Sequence, residues 1–169
     1  KIDSGKEMSV RIFKHPPFNP GVFSATDEGI AGLSFISERD SVYVDEKSGN
    51  PISDGYIRDA TSQLRAYFSG KLRSFTLPLD LDSVSDFQKM VLVETARIPF
   101  GEVCTYGEVA LRIGKPGAAR AVGGALARNP IALVIPCHRV VAHDGHLRGF
   151  SSPGGITSKA RLLIHEGLQ

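Results

Sequence analysis

The chain has few cysteines, no long apolar run and little net charge. Two cysteines among 169 residues are too few for a disulfide-stabilised fold and indicate a reducing compartment. No apolar stretch approaches the roughly 20 residues of a membrane-spanning helix, and residues 1–7 are too polar for a secretory signal. The histidines and cysteines lack the spacing of a zinc site. We therefore expect a protein without a membrane segment, a metal or a cofactor.

Length and charge are consistent with one domain or with two small domains of different character. Hydrophobic residues make up 41% of the chain, which is enough for a buried core. The net charge of +2 is unevenly distributed. Residues 1–85 hold 10 Lys and Arg against 12 Asp and Glu, a net charge of −2, whereas residues 86–169 hold 10 against 6, a net charge of +4. We therefore expect the second half to bind a polyanion.

The first half is expected to form a small α/β domain, residues 1–82. Apolar and polar residues alternate around 9–13 and 32–36, which predicts two or three short antiparallel strands. Residues 40–54 have the composition of a loop. Apolar side chains then recur at helical spacing over 54–68 and predict an amphipathic helix, which a linker over 71–82 follows. The residues at this spacing are Ile57, Ala60, Leu64, Tyr67 and Phe68.

The second half, residues 83–169, is expected to be mainly helical. Ser85 is a suitable N-cap for a helix over 86–97. Two further helices, over 106–113 and 118–128, flank a Gly/Pro break and predict a helix-turn-helix. The first of the three helices is expected to bury Phe87, Met90, Val91 and Ile98.

The helix over 118–128 consists almost entirely of small residues, with Gly123 and Gly124 at its centre. Each interior glycine costs about 1 kcal/mol relative to alanine, which indicates that another surface approaches this helix closely. A second helix and a DNA groove are both consistent with the pattern.

The apolar stretch over 131–135 is short enough for a strand. It leads through Pro136 to Cys137 and His138. Neighbouring side chains of a strand point to opposite sides, so the backbone must turn at Pro136 for both to face one site. A free thiol has a pKa of about 8.5, and His138 is the natural acceptor for its proton. Arg139 is expected to make structural hydrogen bonds. The alternative reading of Cys137 is a small, unreactive buried thiol.

The sequence PCHRV at 136–140 resembles the active-site signature of the O6-alkylguanine-DNA alkyltransferases, which are single-use DNA repair proteins. The order and spacing of that family also appear in GEV at 101–103, TYG at 105–107, AARAVGGA at 118–125 and LLIHEG at 162–167. The resemblance covers most of the chain from Phe87 onward. It implies a ribonuclease H-like N-terminal domain and a winged-helix-like C-terminal domain that carries DNA binding and alkyl transfer.

The resemblance implies direct transfer of the alkyl group from O6-alkylguanine in double-stranded DNA to Cys137, with O4-alkylthymine as a further candidate lesion. The base would be flipped out of the duplex, and the thioether formed would inactivate the protein irreversibly. By resemblance, Glu166 orients His138, which reaches Cys137 through a water molecule. Tyr106 corresponds to the tyrosine that donates to the departing guanine. Asn129 corresponds to the asparagine that ties the turn at the cysteine.

The resemblance also implies that the helix over 118–128 enters the minor groove. That groove is only about 6 Å wide, so small residues such as Ala119 and Gly123 suit it. Arg120 matches the arginine that inserts into the base stack where the nucleotide has been flipped out. Arg128 and Lys115 are candidates for phosphate contacts.

We further expect a monomer, located in the cytoplasm of a prokaryote or the nucleus of a eukaryote.

The loop over 149–155 corresponds to the lid of the family's base pocket. Phe150 stands where a tyrosine is common in the family, and Ser151 and Ser152 are candidates for contact with the base. Val140 is expected to line the pocket.

Three other functions remain open. A lesion-binding relative of the alkyltransferases would flip the base without chemistry, but such proteins typically carry tryptophan where this chain has Cys137. A helix-turn-helix regulator that senses alkylation would bind a specific operator, and the chain has no separate effector domain of convincing length. A cysteine hydrolase would need an oxyanion hole, which no motif marks.

Overall fold

A computed structural model describes residues 8–40 and 49–169. The chain divides into two compact units, unit 1 (Lys1–Asp82) and unit 2 (Ser83–Gln169). Within the described ranges, no helix is both long enough and apolar enough to cross a membrane.

The described part of unit 1 contains three antiparallel strands and one helix, which agrees with the prediction of two or three strands. The strands β1 (Ser9–His15), β2 (Phe18–Ala25) and β3 (Ile30–Phe35) lie in the order β1-β2-β3. The helix α1 (Pro51–Phe68) packs against this sheet. Its five apolar residues at helical spacing are all buried, which confirms the predicted buried face.

Helix α1 begins three residues before its predicted start at Asp54, because Asn50 provides the N-cap. The Asn50 side chain accepts a hydrogen bond from the backbone N–H of Ile52 at 2.9 Å, and Pro51 suits the first turn of a helix. The predicted loop over 40–54 is therefore wrong at its last four residues. Residues 41–48 of that loop lie outside the described ranges.

The segment predicted as a linker, 71–82, pairs in part with β3. The N–H of Ile30 donates to the carbonyl of Pro78 at 2.8 Å, and the N–H of Asp80 donates to the carbonyl of Ile30 at 2.9 Å. Gly29 permits this approach, because a Cβ at that position would lie 2.5 Å from the Pro78 carbonyl oxygen. The linker prediction is therefore wrong for residues 78–80, which belong to the sheet edge of unit 1.

All residues of unit 2 are described, and they form four α-helices, one short 3-10 turn and two short strands. Ser85 caps the first helix as predicted, since its hydroxyl accepts a hydrogen bond from the N–H of Gln88 at 3.2 Å. The two strands pair in parallel. The helices and strands are α2 (Asp86–Thr95), β4 (Cys104–Thr105), α3 (Tyr106–Arg112), α4 (Ala119–Ala127), β5 (Val140–Val141) and α5 (Gly155–His165).

Helix α2 is two residues shorter than predicted, and its buried face differs in part. Met90 is 42% exposed and Phe87 is half-buried, although both were predicted to be buried. Gln88 occupies a buried position on this helix. Its side-chain amide donates to the carbonyls of Ala125 at 3.2 Å and Arg128 at 2.9 Å, at the end of α4. Because these hydrogen bonds satisfy the amide, a polar residue is tolerated at this buried position.

Helices α3 and α4 form the helix-turn-helix. Thr105 and Glu108 make a capping box at the start of α3, in which each side chain accepts a hydrogen bond from the other residue's backbone N–H. The connection to α4 contains Gly114 and Gly117, with φ angles of +72° and +87°. Helix α4 is one residue shorter at each end than the predicted 118–128.

The apolar run over 131–135 is a compact turn and not the predicted strand. Leu133 adopts a φ angle of 71°, and the N–H of Ile135 donates to the carbonyl of Ile131 at 3.0 Å. The side chains of Ile131, Leu133 and Ile135 are all buried. A short apolar run indicates that its side chains are buried, but it does not indicate the backbone conformation. For this reason the strand prediction was wrong.

Candidate active site

Cys137 lies in the short 3-10 turn Cys137–Arg139, directly before β5. The backbone therefore turns after Pro136, as the side-chain argument required. Cys137 is partly exposed, whereas His138 and Cys104 are buried. Both cysteines are free thiols. Cys137 is thus the more accessible thiol of the two.

Asn129, just beyond the end of α4, ties the turn before Cys137. Its Nδ2 donates to the carbonyl of Ile135 at 2.9 Å, and its Oδ1 accepts from the N–H of Ile131 at 3.0 Å. The N–H of Cys137 in turn donates to the Ile135 carbonyl at 2.8 Å. The structure therefore places Asn129 where a residue that holds this turn must lie.

Glu166 joins His138 and Arg139 in one buried network. Nε2 of His138 and Oε1 of Glu166 are 2.8 Å apart. Two N–H groups of Arg139 donate to the two oxygens of the same carboxylate, each at 2.9 Å, and a third donates to the carbonyl of Ile98 at 2.6 Å. His138 and Glu166, which the sequence places 28 residues apart, are therefore in direct contact. Arg139 makes structural hydrogen bonds of the kind expected.

The surroundings of His138 favour the neutral imidazole. Burial lowers the pKa of His138, and the contact with Glu166 offsets this effect only in part. A carboxylate accepts hydrogen bonds, so Nε2 carries the hydrogen and Nδ1 is the acceptor nitrogen. Nδ1 is buried and has no hydrogen-bond partner among the described residues. His138 can therefore accept a proton at Nδ1, but it does not favour a lasting positive charge.

The Cys137 thiol needs assistance to ionise. Burial raises the pKa of the Cys137 thiol, while a hydrogen bond from Asn129 and the positive charge of Lys159 lower it. A thiolate is the reactive form of cysteine. A base that takes the proton, or a nearby cation that stabilises the anion, is therefore required for reactivity at neutral pH.

Lys159 of α5 is a buried cation that the sequence analysis did not identify. Its Nζ donates to the carbonyl of Val140 at 2.6 Å and to that of Arg148 at 3.2 Å. It also lies 5.8 Å from the centre of the Tyr106 ring. Helical spacing was the signal for its burial, because it lies three, four and seven residues before other buried side chains. Those side chains are Leu162, Leu163 and Glu166.

An open groove of about 770 Å³ lies beside the start of α3 and α4. Four residues that the sequence analysis assigned to catalysis or DNA binding line it: Tyr106, Ala119, Arg120 and Gly123. The loop after β5 contributes further lining residues that no motif block covered. These are Ala142, His143, Asp144 and Arg148, and Gly107 of α3 completes the lining.

Tyr106 connects this groove to the loop after β5. Its hydroxyl donates to the carbonyl of Arg148 at 3.1 Å. Burial raises the pKa of Tyr106, and the nearby Cys137 raises it further. The phenol therefore keeps its proton at neutral pH and remains a hydrogen-bond donor.

The two central glycines of α4 have different surroundings. A Cβ at Gly123 would lie 3.8 Å from ring carbons of Tyr106, and one at Gly124 would lie 3.9 Å from Nη1 of Arg128. Both are ordinary van der Waals distances, so packing within unit 2 does not require glycine at either position. Gly123 lines the groove, and Gly124 does not. The close approach of DNA to this helix stays a prediction.

The other predicted residues do not line this groove. Arg128 and Lys115 are exposed, as phosphate contacts must be. Val140 is fully buried, and its carbonyl is already bound by Lys159. Its role in lining a base pocket remains a prediction.

The lid segment makes its own hydrogen bonds. The hydroxyl of Ser151 donates to the carbonyl of Ala127 at 2.7 Å, and that of Ser152 donates to the carbonyl of Pro153 at 3.3 Å. Phe150 is half-buried. None of these three predicted lid residues lines the groove. Their role in holding a base remains a prediction.

An acidic cluster in unit 1 is the candidate cation site in the described ranges. Oxygen atoms of Glu28, Asp80 and Asp82 lie within 4.8 Å of one another. Asp80 also accepts hydrogen bonds from the Thr26 hydroxyl at 2.7 Å and from the N–H of Asp82 at 3.1 Å. The cluster has no thiol or imidazole, so its ligands suit calcium or magnesium better than zinc.

Comparison with known proteins gives matches across both units. Residues 86–168 match the family model described as 6-O-methylguanine DNA methyltransferase, DNA binding domain, and residues 22–81 match the one described as 6-O-methylguanine DNA methyltransferase, ribonuclease-like domain. The methylated-DNA--protein-cysteine methyltransferase of Methanosarcina barkeri is 42% identical over 152 residues, which span 87% of this chain and 90% of that protein.

Solved structures agree with these matches. A crystal structure of Mycobacterium tuberculosis O6-methylguanine methyltransferase has a TM-score of 0.78 and 36% sequence identity, and the match covers 94% of this chain and 92% of that one. A crystal structure of Mycobacterium tuberculosis OGT in complex with DNA has a TM-score of 0.79 and 38% identity, with 93% and 91% covered.

Proposed function

The chain belongs to the 6-O-methylguanine DNA methyltransferase family, and on this premise we propose that it acts on O6-alkylguanine in duplex DNA with Cys137 as the alkyl acceptor. It is a DNA repair protein that transfers an alkyl group from DNA to a cysteine. The proposed product is a stable thioether, so each molecule acts once. A monomer is sufficient, because unit 2 of one chain carries all the proposed catalytic residues.

The observation that carries the proposal is the contact of 2.8 Å between the buried His138 and Glu166, next to the partly exposed Cys137. Glu166 keeps the hydrogen of the imidazole on Nε2, so Nδ1 is free to accept the thiol proton. The proton passes from Cys137 to Nδ1 through water, as the family resemblance implies. This arrangement supplies the base that the Cys137 thiol needs.

In the proposed reaction, the thiolate of Cys137 attacks the alkyl carbon on the far side from O6. A carbon–sulfur bond forms, the bond between the carbon and O6 breaks, and its electron pair stays with the guanine. O6 is inaccessible in a stacked duplex, so the base must first be flipped out. Helix α4 is proposed to enter the minor groove, where Ala119 and Gly123 permit close contact and Arg120 fills the gap in the base stack.

The departing guanine becomes neutral when a ring nitrogen gains a proton. Tyr106 is proposed as the donor, because its phenol stays protonated at neutral pH and it lines the same groove as Arg120. The proton that left Cys137 restores the phenol by way of His138 and solvent. In sum, a thiol and an alkylated base in DNA give a thioether on the protein and an unmodified guanine in the DNA.

The competing functions lack the support that this one has. A lesion binder without chemistry would not need a thiol at position 137 with a proton acceptor beside it. A regulator that senses alkylation would use the same transfer step, but residues 22–81 match a ribonuclease-like domain of the repair family and not a separate effector.

The test is a time course with labelled O6-methylguanine duplex in excess over protein. Transfer should reach a plateau at one methyl group per chain and then stop. The Cys104→Ala variant, which changes the buried thiol, should reach the same plateau, whereas Cys137→Ala should transfer nothing. Turnover beyond one group per chain, or transfer by Cys137→Ala, would contradict the proposal.

A further inference from the structure

Lys159 carries a positive charge in a place where the described structure provides no negative one. The residue is fully buried, and within the described ranges no carboxylate lies at ion-pair distance from its Nζ. A buried ammonium group without an anion is costly unless its hydrogen bonds and a nearby negative charge compensate. The two carbonyls that accept from Lys159 are neutral, so they satisfy its hydrogen bonds but not its charge.

The carbonyls of Val140 and Arg148 belong to the two segments next to the proposed nucleophile, Cys137. Val140 begins β5, three residues after Cys137, and Arg148 belongs to the loop that lines the groove. The Arg148 carbonyl also accepts the hydroxyl of Tyr106. Lys159 therefore links the cysteine turn, the groove loop and the tyrosine through one ammonium group.

The charged and titratable groups around Cys137 leave Lys159 as the source of lasting positive charge. His138, on the same turn, is kept neutral by burial, and the charge of Arg139 is matched by Glu166. Tyr106, from α3, is a neutral phenol. Asn129, next to α4, contributes a hydrogen bond but no charge. Lys159 of α5 is therefore the cation near Cys137 whose charge no carboxylate of the described ranges neutralises, and it can stabilise a thiolate there.

We infer that Lys159 is a positioning residue of the alkyl-transfer site, whose ammonium group acts as counter-ion to the Cys137 thiolate and fixes the carbonyls of Val140 and Arg148. This inference rests on the proposed function, because it gives that thiolate the role of nucleophile. His138 then moves the proton, and Lys159 stabilises the charge that remains on sulfur.

The titration of the two groups is linked. Burial lowers the pKa of Lys159, and the Cys137 thiolate raises it. Burial raises the pKa of Cys137, and the charge of Lys159 lowers it. Removal of the ammonium group should therefore raise the thiol pKa and reduce the fraction of thiolate at neutral pH.

The test is the pH dependence of Cys137 alkylation by iodoacetamide, in which sulfur displaces iodide and no DNA takes part. In a Cys104→Ala background, Lys159→Met should shift the profile upward by about one pH unit and slow the reaction about tenfold at neutral pH, with the same limiting rate at high pH. Lys159→Arg should restore part of the rate. Lys89→Met, which removes an exposed lysine of α2, is the matched control and should leave the profile unchanged.

A folded Lys159→Met protein with an unshifted profile would overturn the inference. If that variant does not fold, the wild-type chain provides a second measurement through the NMR titration of the Lys159 ε-carbon. Its midpoint should be lower in Cys137→Ala than in the wild type, because the thiolate that raises it is gone. Equal midpoints of the Lys159 titration in the wild type and in Cys137→Ala would also overturn the inference.

The two proposals fail in distinguishable ways. If Lys159→Met shifts the pH profile of iodoacetamide alkylation but no alkyl group moves from DNA to Cys137, the proposed function fails and the ion pair stands. If DNA repair at Cys137 proceeds and the profile of Lys159→Met is unshifted, the proposed function stands and the inference about Lys159 fails.

Discussion

Arg139 holds the carboxylate of Glu166 in a planar, two-point contact, and this contact orients Glu166 toward His138. The pair is removed from water, since the side chain of Glu166 is fully buried and that of Arg139 is 7% exposed. A bidentate guanidinium–carboxylate pair has a fixed geometry that a single point charge cannot reproduce. The orientation of His138 therefore depends on a residue that we do not expect to touch the substrate.

At the scale of single residues, we predict that Arg139→Ala lowers the free energy of unfolding of unit 2 by about 3–5 kcal/mol, because it leaves the Glu166 charge buried and unpaired. Urea-dependent amide hydrogen exchange in α5 measures this effect in the unit that holds the pair. Arg97→Ala is the control. It removes an ion pair with Glu94 in which Arg97 is 71% exposed, and it should cost only about 0–1 kcal/mol. Equal losses in the two variants would contradict this account.

Single residues were predictable where their neighbours in the sequence are also their neighbours in space. Cys137 and His138 are adjacent, so the need for a turn between them followed from strand geometry alone. The burial of Lys159 and the hydrogen bonds of the Arg148 carbonyl depend on contacts between distant segments. Those contacts are not visible in a local pattern, although the helical spacing of Lys159 gave a partial signal.

Helix α4 combines poor helix formers with an exposed groove. Its central glycines weaken the helix, and neither has a neighbour that a methyl group would displace. The sequence alone left two explanations for the glycines, a neighbouring helix and a DNA groove, and a methyl group at either position would fit within unit 2. Contact of Gly123 with DNA is the proposal that the next prediction tests.

At the scale of the element, we predict opposite effects of Gly123→Ala on folding and on binding. The substitution should stabilise α4 by up to about 1 kcal/mol and weaken binding to duplex DNA about tenfold, the equivalent of roughly 1.4 kcal/mol. Thermal unfolding and fluorescence anisotropy with labelled duplex measure the two effects.

Gly124→Ala is the matched control for this prediction. It should bring a similar gain in helix stability, and it should leave DNA affinity unchanged because Gly124 does not line the groove. If both variants bound DNA as tightly as the wild type, the proposed placement of α4 in the minor groove would be wrong.

Elements were predictable where local signals and tertiary structure agree. Ser85 capped α2 as expected, and the apolar spacing identified the buried face of α1. The early start of α1 was also encoded locally, by Asn50 followed by Pro51, but the polar composition of that region suggested a loop. The turn over 131–135 was not predictable from its apolar residues, because the left-handed backbone at Leu133 and the turn's internal hydrogen bonds distinguish it from a strand.

Across the whole molecule, positive charge is concentrated in the half of the sequence that matches a DNA-binding domain. Residues 86–169 have 10 Lys and Arg against 6 Asp and Glu, and residues 86–168 match that domain. This asymmetry could be read from the sequence, since it requires no knowledge of contacts. Which cations face DNA could not be read in the same way, because burial removes Lys159 and Arg139 from the surface.

We therefore predict that DNA binding weakens as salt rises from about 50 to about 200 mM, with a linear relation between the logarithms of affinity and salt concentration. If Lys115 and Arg128 contact phosphates, replacing both by alanine should reduce the slope by about 2. Replacing Lys89, an exposed lysine of α2, should leave the slope unchanged. Binding that does not respond to salt would contradict the role of the basic unit.

The most direct measurement of the central claim is peptide mapping by mass spectrometry after the protein has reacted with an equimolar duplex that contains O6-methylguanine. The account predicts one methyl group on the peptide with Cys137, none on the peptide with Cys104, and unmodified guanine in the DNA. An unmodified Cys137 alongside repaired DNA, or a methyl group on any other residue, would contradict it.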